Sequence, residues 1–363
     1  FSHMHRVENV IAHLRPNITA SNSAETSDEY LGVHTCVPAF LELKFVHNFL
    51  HDNWKLPPYV ITTGNGERVR ESLKYLDHGI LLQDVMRTLS QNPFRIEIAI
   101  GLYKGTPVTI FEHQIGNPST EIYIRELLSK KCMTNIYRVD KHTFTTDAKY
   151  LIRLGTSLGI NSDDANHIQL SPGDISVSTQ QVGISSTDFQ AMTSNLNILN
   201  AHASTRQVSD LLTRMGYKMQ TVRHDDSAQE TWPVAPFDSE LHSALTDCTA
   251  ENYKNNEKGH KCVSSLANVS KDSLYSEQAP NTFLRLRKQL NVGTSDMESA
   301  TIMRTTRQMT HDQHNKIKAG FCSVIIGVLG PNGGNSFVSF DRKLCNQVQW
   351  KSALDALHKI SLK

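Results

Sequence analysis

The chain has no long apolar run, no excess charge of either sign and no closely paired cysteines. No stretch of about 18 apolar residues is present to cross a bilayer as a helix, and the first residues lack a basic-then-apolar leader pattern, so we expect a soluble, cytoplasmic protein without a membrane partner. Lysine and arginine number 37 against 36 for aspartate and glutamate, a net charge of +1. This balance disfavours nucleic acid as a partner. The expected partner is therefore a small molecule or another protein.

Several binding signatures are also missing. The sequence contains no Walker A string, no GxGxxG after a strand and no GxSxG elbow, which disfavours nucleoside triphosphates, dinucleotides and a hydrolase triad. The six cysteines form no CxxC pair, so neither a zinc knuckle nor a disulfide framework is expected. His311 and His314 have a helical spacing, but no acidic or cysteine partner matches it. We therefore expect no metal site and no cofactor.

Strand-like and helix-like segments alternate from Tyr59 onwards, which predicts an α/β fold with a largely parallel or mixed central sheet flanked by helices. The predicted strands are 59–63, 107–111, 150–154, 174–179 and 321–329, and the predicted helices are 68–89, 122–131 with Ser119 or Thr120 as cap, 205–215, 238–255 and 348–362.

One structured domain is expected. Residues 1–45 are interpreted as an extension, in which Ser2-His3-Met4 resembles the remnant of a tag, and 46–363 as the domain. A polar segment near 188–230 is rich in Ser, Asn, Asp and His, and is interpreted as an insert in that domain.

Three predicted strand ends carry glycine and hydroxyl groups, at 64–68, 116–120 and 155–157. Glycine lets the backbone approach an anion, a following helix start offers free N–H groups, and an arginine pairs with phosphate oxygens. Arg68 lies at the first of these ends, and Arg153 and Thr156 lie on either side of Gly155 at the third. If the strands are neighbours, these groups form a phosphate pocket at the carboxyl edge of the sheet.

The segment from Gly293 to Arg304, GTSDMESATIMR, supports two interpretations. Ser295 followed by Glu298 fits a capping box at a helix start. Alternatively, Met297 packs on a ribose and Glu298 accepts hydrogen bonds from two adjacent hydroxyls. Taken alone, the segment is more simply interpreted as a helix cap. Together with the three glycine-containing strand ends, the ligand role is favoured, and the segment can have both roles at once.

The succession of motifs resembles the nucleoside phosphorylase-I family. Within that family the sequence is most similar to the uridine phosphorylases, and its inserts resemble those of the trypanosomal uridine phosphorylases. The motifs are GNGER at 64–68, GTPV and IGNPSTEI at 105–122, LIRLGTS at 151–157, GD at 173–174, DSLYSEQ at 272–278 and SDMESAT at 295–301. The resemblance implies a single domain with a mixed, partly barrel-like sheet, and a homodimer or dimer-based oligomer with a possible cation at its interface.

The resemblance also implies site residues. Those implied for phosphate are Gly64, Arg68, Arg153, Thr156 and Arg95, the last donated by a second subunit. Those implied for ribose are Met297, Glu298, Asp296 and His47, although His47 is equally compatible with an ordinary surface or core histidine. Those implied for the base are Gln278, Ser157 and Leu158, although Gln278 also fits an ordinary loop glutamine.

The implied reaction is phosphate-dependent cleavage of the N-glycosidic bond of uridine or a related pyrimidine nucleoside, with inorganic phosphate as co-substrate. Purine enzymes of the family place an aspartate just after the strand equivalent to 321–329, and GVLGPNGGNSF here contains no acid. The absence favours a pyrimidine.

Several positions depart from the family pattern. Leu158 replaces a glycine of the base pocket, Leu274 an aromatic residue, and Pro280 an arginine. These departures keep two alternatives open: a catalytically weak binding or scaffold homologue, and a purine nucleoside phosphorylase. A hydrolytic nucleosidase is disfavoured, because water needs no anion site.

Overall fold

The computed structural model describes residues 55–81, 83–84, 96–129, 138–139, 142–143, 145–146, 148–183, 201–223, 229–254, 259–271, 280–312, 316–330 and 335–363. The strands in this part of the chain are β1 (Lys55–Leu56), β2 (Tyr59–Thr63), β3 (Asp77–Leu81), β4 (Ile98–Tyr103), β5 (Thr106–Glu112), β6 (Arg138–Val139), β7 (His142–Thr143), β8 (Thr145–Thr146), β9 (Tyr150–Ile160), β10 (Ile175–Val177), β11 (Gln180–Val182), β12 (Lys218–Arg223), β13 (Gln229–Pro236), β14 (Cys262–Val263), β15 (Ala267–Ser270), β16 (Val292–Asp296), β17 (Lys318–Leu329) and β18 (Asn335–Ser336). The helices are α1 (Gly66–Ser72), α2 (Asn117–Leu128), α3 (Ala201–Arg214), α4 (Ser239–Tyr253), α5 (Pro280–Leu290), α6 (Ser299–His311) and α7 (Arg342–Ser361).

Most strands join one large mixed sheet, in the order β12-β13-β11-β15-β16-β9-β2-β5-β4-β3. A branch leaves this path at β9, which also pairs with β17, and β17 in turn pairs with β10 and β18. Strands β2, β5, β9 and β17 are parallel, so their carboxyl ends lie on the same edge. The predicted mixed α/β fold is thus confirmed.

Strand β9 is the junction of the sheet. Its first five residues lie between β2 and β17, while Leu158 and Gly159 near its end pair with the antiparallel β16. The pairing of β9 with β17 shifts register between Ile325 and Gly327, so β17 carries one extra residue there. A bulge of this kind bends a strand and increases its twist. The bend lets β9 change its neighbour from β2 to β16 at the edge where the site lies.

The helices α4 and α7 pack against each other and against β17. Their inward side chains form the largest apolar cluster with β2, β9 and β17, and Trp350 and Leu354 of α7 are fully buried in it. Each helix begins at an aspartate: Asp238 accepts the Leu241 N–H at 3.0 Å, and Asp341 accepts the Leu344 N–H at 2.9 Å. These contacts supply partners for N–H groups that a helix start leaves free.

The predicted helix at 68–89 was wrong in its length. Helix α1 ends at Ser72, a short 3₁₀ turn follows, and residues 77–81 form β3. His78, the second residue of β3, is in the left-handed region with φ 54°, and Leu89 lies outside the described residues. The apolar spacing of Leu73, Leu76 and Ile80 fits a helix, but here Leu73 and Leu76 pack against the main apolar cluster while Ile80 lies in β3. Strand β4 was missed, although the alternation of Ile96, Ile98 and Ile100 with other residues indicates it.

Two predicted helix caps were also wrong. Helix α2 starts after Gly116, whose φ of 91° suits glycine, and neither Ser119 nor Thr120 precedes it. Ser295 lies inside β16, and α6 starts after Glu298, which makes no side-chain cap. The capping box is therefore absent. Asp296 takes its role by accepting the Ser299 N–H at 3.0 Å.

The polar segment near 188–230 is described at 201–223 and from 229 onwards. Val208 and Leu212 of α3, with Tyr217, are buried against Met303 and Phe321. Strand β12 pairs with β13, which extends the sheet. This part of the segment therefore contributes to an apolar core. The extension at 1–45 lies outside the described residues, and within the described ranges no helix has the length and apolarity to span a membrane.

Truncating the core face of α7 tests this packing. We expect Leu354→Ala to lower the free energy of unfolding by about 2–5 kcal/mol, because the residue is fully buried and leaves a cavity. The matched control is Lys351→Ala on the exposed face of the same helix, expected to stay within about 0.5 kcal/mol. Urea unfolding followed by circular dichroism measures both, and equal effects would contradict the assignment of the buried face.

Candidate functional site

The site is built around Arg153 on β9, whose side chain is only 4 % exposed. Its Nη1 lies 3.0 Å from Asp296 Oδ2, and its Nη2 donates to Glu298 Oε2. The guanidinium carbon lies 4.9 Å from the centroid of the Phe321 ring. A Cβ at Gly155 would lie 2.2 Å from Nη1, so only glycine allows the side chain to fold back over its own strand.

The topology explains why two carboxylates reach this arginine. Strand β16 runs antiparallel to β9 and pairs Ser295 with Leu158, so the residues that follow run back towards Arg153. Asp296 closes the strand and starts the next helix, because its Oδ2 accepts the Ser299 N–H at 3.0 Å and the Ser299 hydroxyl at 2.6 Å.

The other oxygen of Asp296 is fixed from β15. Oδ1 accepts Asn268 Nδ2 at 2.8 Å and the Ser270 hydroxyl at 2.5 Å. Asn268 is itself held, since its Oδ1 accepts the Thr294 hydroxyl at 2.9 Å. The carboxylate of Asp296 is therefore held rigidly in a fully hydrogen-bonded network.

Glu298 connects a third segment to the site. Its Oε1 accepts the Gly116 N–H at 2.9 Å, so the loop between β5 and α2 is tied to the start of α6. Burial raises the pKa of the Glu298 carboxyl, and the ion pair with Arg153 and the Gly116 N–H oppose that rise. Asp296, two residues away, adds a like charge that also raises it.

Arg68 on α1 is the second cation of the site. Its Nη1 donates to the Leu154 carbonyl at 3.4 Å, and its Nη2 donates to Gln349 Oε1. The guanidinium also lies over Trp350, 5.9 Å from the ring centroid. Burial, and then the neighbouring Arg153, lower the pKa of Arg68 to about 10, so it remains charged at neutral pH.

Gln349 of α7 is a neutral partner for this charge. Its Nε2 donates to the Gly155 carbonyl at 2.9 Å and to the Cys322 carbonyl at 2.8 Å, which leaves Oε1 to accept from Arg68. Within the described ranges no carboxylate forms an ion pair with Arg68. The positive charge of Arg68 is therefore oriented without being neutralised.

Several buried polar atoms at this edge have no hydrogen-bond partner among the described residues. They belong to β2, β9, β16 and α1 and to the loop after β5: Thr63 Oγ1, Arg68 Nε, His113 Nε2, Arg153 Nε, Ser157 Oγ and Ser295 Oγ. Buried polar atoms are rarely left unpaired, and such a concentration is typical of a site that binds a polar ligand.

The remaining predicted site residues are placed as follows. Gly64 lies at the end of β2, where a Cβ would be 3.3 Å from the Gln114 carbonyl oxygen. Thr156 is exposed, Met297 is half-buried beside Glu298, and Leu158 packs on the apolar cluster formed by β11, β15 and α5. Arg95, His47 and Gln278 lie outside the described residues.

Three residues of the site were missed by the sequence analysis: His113, Asn268 and Gln349. His113 directly precedes the glycine loop after β5, a position that could have indicated it. Asn268 and Gln349 carry no such signal, because their partners come from distant segments. No group of three or more His, Cys, Asp or Glu side chains in the described part of the chain is placed to hold a metal ion.

The chain is similar to known proteins over most of its length. A family model described as the phosphorylase superfamily matches residues 58–344. A uridine phosphorylase structure from the oomycete Phytophthora capsici has a TM-score of 0.54 at 15% identity, covering 85% of this chain and 94% of that one. A purine nucleoside phosphorylase from Toxoplasma gondii in complex with immucillin-H has a TM-score of 0.52 at 18% identity, covering 84% and 92%.

A comparison with proteins of curated function finds no match. At these sequence identities the structural similarity shows the fold alone. The family is shown by the family model that matches residues 58–344. The chain belongs to the phosphorylase superfamily, and its fold is that of the nucleoside phosphorylases.

Proposed function

We propose that the protein is a nucleoside phosphorylase that uses inorganic phosphate to cleave the N-glycosidic bond of uridine or a related pyrimidine nucleoside, releasing the base and ribose 1-phosphate. The observation that carries the proposal is a pair of arginines at the carboxyl edge of the parallel strands, of which Arg153 is buried and Arg68 is half-buried. Within the described part of the chain no carboxylate pairs with Arg68, which lies beside Arg153 and next to the glycine turn at Gly64. Such a site suits a small oxyanion.

The anion site supports phosphorolysis over hydrolysis. Water as the nucleophile needs no cationic pocket. Phosphate must lose part of its hydration shell on binding and be oriented towards the anomeric carbon. Arg68 and Arg153 supply the guanidinium donors, and Thr156, an exposed residue of β9, supplies a hydroxyl. Arg95 remains a proposed further donor from a second subunit.

Glu298 and Met297 are the proposed ribose contacts. Each carboxylate oxygen of Glu298 accepts one hydrogen bond, from Gly116 or from Arg153, and retains a second lone pair for a ribose hydroxyl. As the glycosidic bond lengthens, positive charge develops on the sugar, and a rigid carboxylate nearby stabilises it. Asp296 positions these residues, because it pairs with Arg153 and accepts a hydrogen bond at the start of α6.

A pyrimidine is favoured over a purine by the segment after β17. Residues 330–340 contain no acid that could protonate a departing base. The first carboxylate, Asp341, accepts the Leu344 N–H at 2.9 Å and thereby starts α7. The leaving base would then depart with hydrogen bonds alone, which suits uracil.

The second candidate is a catalytically weak homologue that retains phosphate and ribose binding. Pro280 begins α5 and has neither a side-chain donor nor a backbone N–H for a base. Leu158 places an apolar side chain where the family has glycine. Turnover at ordinary enzyme rates with any natural nucleoside would exclude this candidate.

We also propose a homodimer or a dimer-based oligomer. The resemblance to the family implies that His47 and Arg95 act across subunits. Light scattering of the purified protein measures its mass in solution, and a monomer that is fully active would contradict shared sites.

The proposed reaction is tested by incubating the protein with uridine, with and without phosphate, and separating the products by chromatography. We expect uracil and ribose 1-phosphate in equal amounts only when phosphate is present, with inosine as the purine comparison. Free ribose formed without phosphate would show hydrolysis, and no product from any natural nucleoside would overturn the proposal.

Neutralising Glu298 tests the ribose site. We expect Glu298→Gln to lower kcat/KM for uridine by roughly 100-fold or more, because a preorganised charge facing the transition state is lost while the side-chain shape is kept. Glu251→Gln, at an exposed position on α4, is the matched control. Steady-state kinetics measures both variants. Nearly unchanged activity of the Glu298 variant would contradict its role in ribose binding and indicate a structural role alone.

Changing the partner of Arg68 tests the phosphate site. We expect Gln349→Glu to raise the KM for phosphate by roughly tenfold or more, because a carboxylate neutralises the charge that the amide leaves free. Gln347→Glu, two residues away on the same helix, adds the same charge outside the site. Equal KM values for the two variants would contradict the role of Gln349.

A further inference from the structure

His113 is a fully buried histidine at the end of β5 with an unused ring nitrogen. Its backbone N–H donates to the Thr63 carbonyl at 2.8 Å, which places it beside the end of β2. Its ring Cε1 lies 3.5 Å from the position that a Cβ on Gly64 would take. The ring edge therefore packs directly over the glycine turn that the proposed phosphate site uses.

The hydroxyl of Thr120 determines which ring nitrogen carries the proton. Thr120 Oγ1 lies 2.8 Å from the Gly116 carbonyl oxygen, so its single proton is donated there. The same oxygen lies 3.2 Å from His113 Nδ1 and can then only accept, which assigns the ring proton to Nδ1. In the neutral ring, Nε2 is left with a lone pair and no hydrogen-bond partner among the described residues.

The surroundings keep the ring neutral. Burial first, and then the positive charge of Arg153, lower the pKa of His113 well below its usual range, and Arg68 acts in the same direction. The carbonyl oxygens of His113 itself and of Gln114 lie close enough to oppose this shift without reversing it. The result is a hydrogen-bond acceptor placed beside two arginines.

A hydrogen-bond acceptor that lies beside two arginines favours oxyanions that carry an O–H group over those that carry none. Near neutral pH, phosphate and arsenate carry at least one O–H group, whereas sulfate carries none. An O–H group of the anion can donate a hydrogen bond to the lone pair of Nε2. An oxygen without a proton is repelled by that lone pair, and Nε2 then stays buried without a hydrogen bond. The guanidinium groups of Arg68 and Arg153 alone would bind all three anions.

We propose that His113 Nε2 accepts a hydrogen bond from the protonated oxygen of the bound anion, and so makes the site selective for phosphate and arsenate over sulfate. This inference rests on the proposed function, since it assumes that the anion binds at Gly64, Arg68 and Arg153. It assigns to His113 a specificity role that the sequence motifs do not indicate.

Calorimetric titration of the whole protein with sodium phosphate, arsenate and sulfate at one ionic strength tests the proposal. We expect sulfate to bind the unaltered protein roughly tenfold or more weakly than phosphate, with arsenate close to phosphate, because bound sulfate leaves the buried Nε2 without a hydrogen bond. Equal affinities for sulfate and phosphate would overturn the assignment of His113 and leave the phosphate site standing. No binding of phosphate would overturn the proposed function together with this inference.

Two variants provide a second test. His113→Asn keeps a donor for Thr120 but removes Nε2, and His113→Gln places an amide that can turn its N–H towards the anion. We expect the ratio of sulfate to phosphate dissociation constants to fall by roughly tenfold in both, with the larger fall in the glutamine variant. Ratios unchanged from the unaltered protein, in variants whose melting temperature shows that they fold, would overturn the proposal.

Discussion

Burial of the Arg153 guanidinium is the constraint on which the site depends. A charge with 4 % exposure is costly to remove from water unless it is paired and hydrogen-bonded. Asp296 and Glu298 provide the pair, so the end of β16 and the start of α6 must lie against β9. Gly155 must lack a side chain for the same reason. One ion cluster thereby fixes a strand end, a helix start and, through the Gly116 N–H, the loop after β5.

The two arginines of the site are treated differently by their surroundings. Arg153 is paired with the carboxylates of Asp296 and Glu298, and its Nε has no hydrogen-bond partner among the described residues. Arg68 is held by the amide of Gln349 and keeps its charge. Among the residues that the structure describes, no carboxylate pairs with Arg68, so an incoming oxyanion finds there a cation whose geometry is already fixed, which lowers the entropic cost of binding. In the proposed function, the carboxylate of Glu298, which Arg153 holds, stabilises the positive charge that develops on the sugar. Structural rigidity and the proposed chemistry depend on the same contacts.

Sequence reasoning predicted the parts of this arrangement that are local. A β-rich run ending in glycine identified the end of β2, whereas the same pattern at Gly155 was wrong, because β9 continues to Ile160. The MES segment predicted Met297 and Glu298 as ribose contacts, and that stays a prediction. It failed where apolar spacing is ambiguous, as at 73–81, where a strand was taken for the continuation of a helix. The capping box at Ser295 was wrong because the strand extends to Asp296, which a spacing rule cannot show. Gln349 and Arg68 are 281 residues apart, so only the folded chain reveals that they form a pair.

The central claim is that the Arg68 and Arg153 pair is a phosphate site with Glu298 set for the ribose. A crystal structure of the protein soaked with phosphate and a slowly reacting uridine analogue tests it most directly. The account predicts a tetrahedral anion within hydrogen-bond distance of Arg68, Arg153 and the Gly64 backbone, and the ribose hydroxyls on Glu298. An anion bound elsewhere, with no sugar contact at Glu298, would contradict it.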